Sequence, residues 1–324
     1  MEGYNRSSWF FKMDNNAAKI VTLIPSATEI VAFLGQKKTI VGRSHECDFP
    51  EGLENIAKLT SPKIDVDGTS NEINKQINSI LENSLSVYKV DIDKLKKLNP
   101  DFIITQAHCE VCAVSFLEVE KIVDKYLNKK TKIISLEPNT LNDVFDDIKK
   151  VAKNLGINND LNNKLVENLK IRIDEINKLS NKQKIKPTIA CIEWIDPLMI
   201  AGNWIPEMVE IAGGTNLMGK PGSSSHWVKF KEIEKFNPEI IFFIPCGFGI
   251  KKTKQELENY LKKNKSFSTL KAYKNNKLFI GDGNQFFNRP GPRLVESLEM
   301  LAEIMHPKIF NFKHKNKGWI NYND

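Results

Sequence analysis

Hydrophobic positions along the chain fall into short apolar runs separated by longer amphipathic stretches. Residues 19–24, 39–42, 101–105 and 132–136 are apolar runs of strand length, rich in β-branched residues, as strands buried on both faces should be. Between them, 28–34 reads as a helix closed by Gly35, and 116–127 reads as an amphipathic helix. Strands alternating with helices predict a parallel sheet covered by helices. The stretch 63–98 carries no strand pattern. Ile73, Ile77, Ile80 and Leu81 recur there at helical spacing, so a helical insertion is expected.

From 141 to 184 strand signals vanish, and Leu, Ile, Asn, Lys and Glu recur with helical period. Gly156 and Asn158-Asn159 divide the stretch into two helices. The second, over 160–180, is long enough to serve as a rigid strut. The strand–helix pattern then restarts, with strands at 188–192, 239–244 and 277–280 and helices at 206–212, 230–236 and 293–304. The expected class is α/β: two α/β lobes with parallel sheets, joined by one long helix, with a ligand cleft between them. The expected boundaries are an N-terminal tail at 1–18, a first lobe at 19–155, the connecting helix at 156–184, a second lobe at 185–308 and a C-terminal tail at 309–324. No fixed-period repeat is present.

Composition narrows the function classes. With 324 residues the chain can bury one large core or two ordinary ones. No apolar run approaches the roughly 20 residues that span a bilayer, which excludes an integral helical membrane protein. The net charge of +7 is carried mostly by scattered lysines; only five of the 47 basic residues are arginine, at 6, 43, 172, 289 and 293. Nucleic-acid binding would call for clustered basic and aromatic residues, so no nucleic-acid partner is expected. The basic stretch 313–317 reads as a solvated tail. Residues 1–16 lack the long apolar segment of a secretory leader, which predicts a cytoplasmic protein, or a periplasmic or cell-surface one if the start lies elsewhere. A monomer is expected.

Candidate chemistry gathers just past the strand ends, where open α/β sheets bind ligands. Pro25-Ser26 opens a helix, whose free N–H groups either meet an anion or are simply capped by Ser26. Arg43-Ser44-His45-Glu46-Cys47-Asp48 follows the second strand, Gln106-Ala107-His108-Cys109-Glu110-Val111-Cys112 the third, and Cys246-Gly247-Phe248 a strand of the second lobe. Four of the five cysteines lie in these loops; Cys191, inside a strand, is expected in the core. Cys109-x-x-Cys112 fits a redox dithiol or half a metal site, and Cys47 with His45 or His108 would complete a four-ligand centre if the loops converge. The alternative is that these residues only shape a pocket. Trp194, Trp204 and Trp227 fall near strand or helix ends and together would wall a large flat ligand. Arg289 and Arg293 lie four apart in a lysine-rich chain; Arg289 is expected to meet an acidic group of a ligand, and Arg293 a carboxylate of the fold. No Gly-rich phosphate loop, His-Glu-x-x-His or nucleophile elbow is present, so no enzyme is expected.

Several motifs taken together resemble a known family. They are Ile20-Val21-Thr22-Leu23-Ile24-Pro25-Ser26-Ala27-Thr28-Glu29-Ile30, the stretch from Val41 through His45, Cys47 and Asp48 to Pro50, Leu98-Asn99-Pro100-Asp101, Phe236-Asn237-Pro238-Glu239 and Gly213-Gly214-Thr215-Asn216. Over about 19–307 the chain is similar to the cobalamin- and iron-siderophore-binding solute receptors of ABC importers, and most of all to the cobalamin-binding branch. The resemblance implies a corrinoid or similar metal-centred ligand between the lobes and an ABC permease as partner. It places the ligand against Pro25, Ser26, His45, Glu46, Asp48, Gln106, His108, Trp194, Trp204, Trp227, Gly247, Phe248, Phe287, Asn288 and Arg289. His45 or His108 would offer an imidazole to the metal. The alternative is a cytoplasmic metal or redox protein holding zinc, iron or an iron–sulfur cluster through Cys47, Cys109, Cys112, Cys246 and His45.

Overall fold

The computed structural model describes residues 18–324 except 83–86, 108–113, 115 and 128–129. The first part runs β1 (Ile20–Thr22), α1 (Pro25–Phe33), β2 (Ile40–Arg43), β3 (Ala57–Lys58), β4 (Thr60–Pro62), α2 (Ser70–Glu82), β5 (Tyr88–Val90), α3 (Ile92–Leu98), β6 (Phe102–Gln106), α4 (Phe116–Tyr126), β7 (Lys132–Leu136) and α5 (Leu141–Asn154). The long α6 (Asn159–Ser180) follows. The second part runs β8 (Thr188–Trp194), β9 (Met199–Ile200), α7 (Ile205–Ile211), β10 (Thr215–Asn216), β11 (His226–Trp227), α8 (Phe230–Phe236), β12 (Ile240–Phe243), α9 (Ile250–Lys263), α10 (Lys271–Lys274), β13 (Leu278–Gly281), α11 (Leu294–Met305) and β14 (Trp319–Asn321).

Among the described residues the first lobe holds a parallel sheet in the order β3-β2-β1-β6-β7. The second lobe is centred on parallel β8, β12 and β13, with antiparallel β9 and β11 at one edge and β14 at the other. The expected two α/β lobes and their connecting helix are present. No helix among the described residues is long and apolar enough to cross a membrane.

The same joint leads into an inner strand of each lobe, β6 and β12. Asn99 and Asn237 end α3 and α8 in the left-handed conformation, at φ 44° and 45°, and Pro100 and Pro238 then prevent the helices from continuing. The acidic residue after each proline ties in a neighbouring strand: Asp101 Oδ2 accepts from Lys19 N (2.8 Å), next to β1, and Glu239 Oε2 accepts from Thr188 N (2.9 Å), at the start of β8.

One apolar core runs through both lobes. Ile20, Ile30 and Phe145 belong to it, as do Leu169 and Ile173 of α6 and Ile189, Phe242, Leu294 and Leu298 of the second lobe. The strut is therefore packed on both sides, by α5 and by α11, and is pinned by Arg172 on Glu299 (2.7 Å).

Three differences from the sequence expectation have physical causes. Within 63–98, β5 pairs antiparallel with β4; a three-residue strand is too short to show alternation. α9 is added, its Lys- and Glu-rich sequence offering few apolar positions as a marker. The stretch read as a solvated C-terminal tail enters the second sheet. Trp319 is buried, its Nε1 donating to Glu303 Oε2 (2.7 Å), and His314 Nε2 lies 2.7 Å from Glu299 Oε2. Lysines between these anchors disguise the segment as a solvated one.

Candidate functional site

The loop after β2 is held from below. Arg43, buried at the end of β2, donates from Nε to Leu53 O (3.0 Å) and from Nη1 to Cys47 O (2.8 Å), folding 44–48 back over the strand end. Cys47 points inward: its Sγ accepts from Thr28 Oγ1 (3.0 Å), and burial pushes the thiol up to about 11. It is a core thiol, and burial disfavours the thiolate that a metal would need. Cys191 is likewise core, pushed up to about 12 by burial. Cys246 is half-buried after β12, its N–H donating to Glu193 O (3.2 Å). His108, Cys109 and Cys112 lie outside the described residues. Among the described residues no group of three or more His, Cys, Asp or Glu side chains is arranged to hold a metal ion.

His45 faces the other way from Cys47. Its N–H donates to Thr60 Oγ1 (3.0 Å), its Nδ1 lies 2.7 Å from the same oxygen, and the Thr60 hydroxyl proton goes to Ser44 Oγ (3.0 Å). With its proton on Ser44, Thr60 Oγ1 can accept from His45 Nδ1, the tautomer that leaves the lone pair on Nε2. Burial first, and the nearby Lys58 charge second, hold the imidazole below its ordinary value, so it is neutral at pH 7. The ring of Tyr88 stands 5.5 Å from it, and the Tyr88 hydroxyl donates to Glu46 Oε1 (3.1 Å). Burial raises the Glu46 carboxyl, against the pull of Tyr88 and Arg289.

Asp48 brings this loop to the second lobe. Asp282 caps the turn Gly283–Phe287 by accepting from Asn284 N (3.1 Å) and Gln285 N (2.8 Å). The turn then presents the Asn284 and Gln285 amides to Asp48 Oδ2 at 3.3 and 2.7 Å. Arg289 Nη1 donates to Asp48 Oδ1 (2.6 Å) and lies 3.4 Å from Glu29 Oε1. Arg289, expected to meet a ligand's acidic group, is buried here, with its charge matched by Asp48 and Glu29 of the first lobe. Arg293 pairs with Glu29, as expected of a fold-internal partner.

On the second lobe, Gly247 at φ +75° permits the tight turn Pro245-Cys246-Gly247-Phe248 that folds Phe248 onto Trp194, with ring centroids 5.1 Å apart. Register places Trp194, Met199 and Trp227 side by side on one face of β8, β9 and β11. Trp194 is buried, whereas Trp227 at the edge is 54% exposed. Glu193 beside them accepts from Ser225 Oγ (2.7 Å), and burial pushes its carboxyl up to about 7.

Other expected residues support rather than line this face. Trp204 is buried and donates from Nε1 to Phe287 O (2.9 Å), and Phe287 packs edge-on against Phe242 at 5.0 Å. Both belong to the core, because tryptophan near a helix start serves packing as readily as a pocket. Asn288 Nδ2 is spent on Ile244 O (2.9 Å) and Gly283 O (3.0 Å). Pro25, Ser26 and Gln106 are buried at the ends of β1 and β6. Ser26 Oγ is buried without a hydrogen-bond partner, an orphan that costs stability unless something meets it. Sequence reasoning missed Ser70, Glu256, Thr60, Tyr88, Asn284 and Gln285. Only the Ile73/Ile77 spacing signalled that α2 has a face to bury.

Known proteins share this architecture. The chain is 23% identical over 299 residues to the uncharacterized ABC transporter substrate-binding lipoprotein YvrC of Bacillus subtilis (strain 168), covering 90% of this chain and 81% of that one. The periplasmic vitamin B12 binding protein BtuF of Vibrio cholerae superposes with a TM-score of 0.64 at 17% identity, over 89% of this chain and 96% of that one. A periplasmic heme binding protein from Pseudomonas aeruginosa superposes with a TM-score of 0.68 at 15% identity, over 90% and 94%. The sequence model of the periplasmic binding proteins matches residues 20–284, which contain the first lobe, the strut and most of the second lobe, and the chain belongs to that family of binding proteins.

Proposed function

We propose that the chain is a solute-binding protein of ABC-type import, working outside the cytoplasm with a permease partner, and that its solute is a metal-centred macrocycle such as a corrinoid. The observation that carries the macrocycle is His45. A neutral imidazole with Nδ1 fixed as donor and Nε2 holding a lone pair is the form that ligates a metal. It stands three residues from Asp48, in the loop that reaches the opposite lobe. The row Trp194, Met199 and Trp227 with Phe248 supports a flat apolar partner, and Ser26 Oγ supplies an unmet polar group for its periphery. Both structural relatives named above carry, in their own names, a metal macrocycle. The family match does not support the cytoplasmic location expected from the first residues, nor the cytoplasmic metal–redox alternative, whose Cys47 is a core thiol.

Purified protein is titrated with aquocobalamin and, separately, with haemin, followed by calorimetry and visible spectra. One-to-one binding of either is expected, with a band shift that His45→Ala abolishes. Flat calorimetric titrations with both, in protein that melts cooperatively, overturn the reading.

A further inference from the structure

α2 turns its buried surface away from its own lobe. Its buried residues are Ser70 and Ile73, and both find partners across the lobe boundary. Ser70 N and Oγ donate to Glu256 Oε2 of α9 at 2.8 and 2.9 Å, and Trp194 Nε1 donates to Ser70 O at 3.1 Å. Ile73 is packed with Trp194 and Phe248, with Ile64, Ile77 and Met199 at the margin of the cluster. Lys252 Nζ reaches Val66 O (2.5 Å).

The attachment to the first lobe is a narrow neck. β4 and β5 form a two-stranded sheet of their own, and Lys63 N donates to Val87 O (2.9 Å). The chain thus leaves and re-enters the lobe at one place, so 63–82 can swing without disturbing β1, β2 or β6. A cavity of about 540 Å³ remains where its root meets α9, lined by Asp67, Gly68, Thr69, Lys252 and Glu256 among others.

We propose that α2 is a gate whose Ile73 occupies the part of the aromatic shelf that a flat ligand takes. When 63–82 swings out, Trp194, Met199 and Phe248 become continuous with Trp227, which is already open. The proposal rests on the macrocycle reading for the ligand's class. The gate itself rests on the Ser70–Glu256 latch, the Ile73 contact and the neck.

Hydrogen exchange of the intact protein tests it, in the parent and in Glu256→Gln and Ile73→Ser variants, with and without aquocobalamin or haemin. α2 amides should exchange faster than those of β8 in the parent and about tenfold faster still in either variant, with β8 and β12 unchanged. Because apparent affinity scales with the open fraction, the variants should bind the macrocycle about tenfold more tightly. Added macrocycle should speed α2 exchange. Exchange in α2 as slow as in β8 and unmoved by both variants overturns the gate. So does a macrocycle that binds and slows α2 exchange, which leaves the ligand reading standing. Faster α2 exchange in the variants, with no macrocycle bound by any form, supports the gate and sinks the ligand reading alone.

Discussion

Arg293 of the second lobe grips Glu29 of the first with two nitrogens of its guanidinium, Nε to Oε2 at 2.8 Å and Nη2 to Oε1 at 2.5 Å. Both side chains are buried, and the Phe49 ring lies 3.8 Å over the guanidinium. A buried pair is costly to break from one side, because the survivor is left charged in a dry place. Glu29→Ala should lower the unfolding free energy by about 3–5 kcal/mol, read from urea midpoints. A change within experimental scatter would show that the pair is not a weld between the lobes.

Asp48 ties the lobes in a pH-dependent way. Burial pulls its carboxyl upward, but the Arg289 hydrogen bond and charge outweigh this and hold it below the usual range. A depressed carboxyl stabilises the fold above its unfolded value of about 3.9 and loses that contribution as pH falls through the folded value. Urea midpoints should therefore drop below about pH 4 more steeply in the parent than in Asp48→Asn. Parallel profiles would contradict the assignment.

Glu193 has the opposite sign. Its carboxyl is raised to about 7 by burial. The folded state holds its proton where the unfolded chain, at about 4.3, has released it, so stability falls as pH rises from there to 7. Glu193→Gln, which keeps an acceptor for Ser225, should gain about 1–3 kcal/mol over the parent between pH 5 and pH 8. A constant difference across that range would count against it.

Trp319 should be as costly to lose as any core aromatic. It packs edge-on to Phe279 at 5.7 Å and donates to Glu303. Trp319→Ala should cost about 3–5 kcal/mol by denaturant titration. A loss below about 1 kcal/mol, usual for surface sites, would restore the solvated-tail reading.

The His45 tautomer can be read without any ligand. Nitrogen-15 shifts of the imidazole should show a protonated Nδ1 and a bare Nε2 in the parent at pH 7. Thr60→Val removes the acceptor and should yield a tautomer mixture. A parent already mixed would remove the reason for choosing His45 as the metal's partner.

Much of the scaffold was legible because its signals are local. The Asn-Pro-acidic joints at 99–101 and 237–239, the Gly156 break before the strut and the apolar runs of β1, β6 and β7 each declare themselves within a few residues. The site was less legible, because its partners are far apart in sequence. Nothing near Glu256 announces that it will meet Ser70, and nothing near Gln285 announces Asp48. Cysteine at a strand end is ambiguous for a related reason: Cys47 and Cys246 both follow a strand, yet one thiol is buried and the other only half-buried. Trp204 and Phe287 misled similarly, since an aromatic beside a loop gives no sign of which way it packs.

The apolar core that threads from Ile20 through Leu169 to Leu298 bears on modularity. The two sheets look like interchangeable parts on a common strut, but no polar seam divides them there. A lobe transplanted from a relative would bring half of an interface whose other half was shaped elsewhere. Diversification of such a chain is therefore confined to what hangs off the core: the loops past the strand ends and the necked excursion that carries α2.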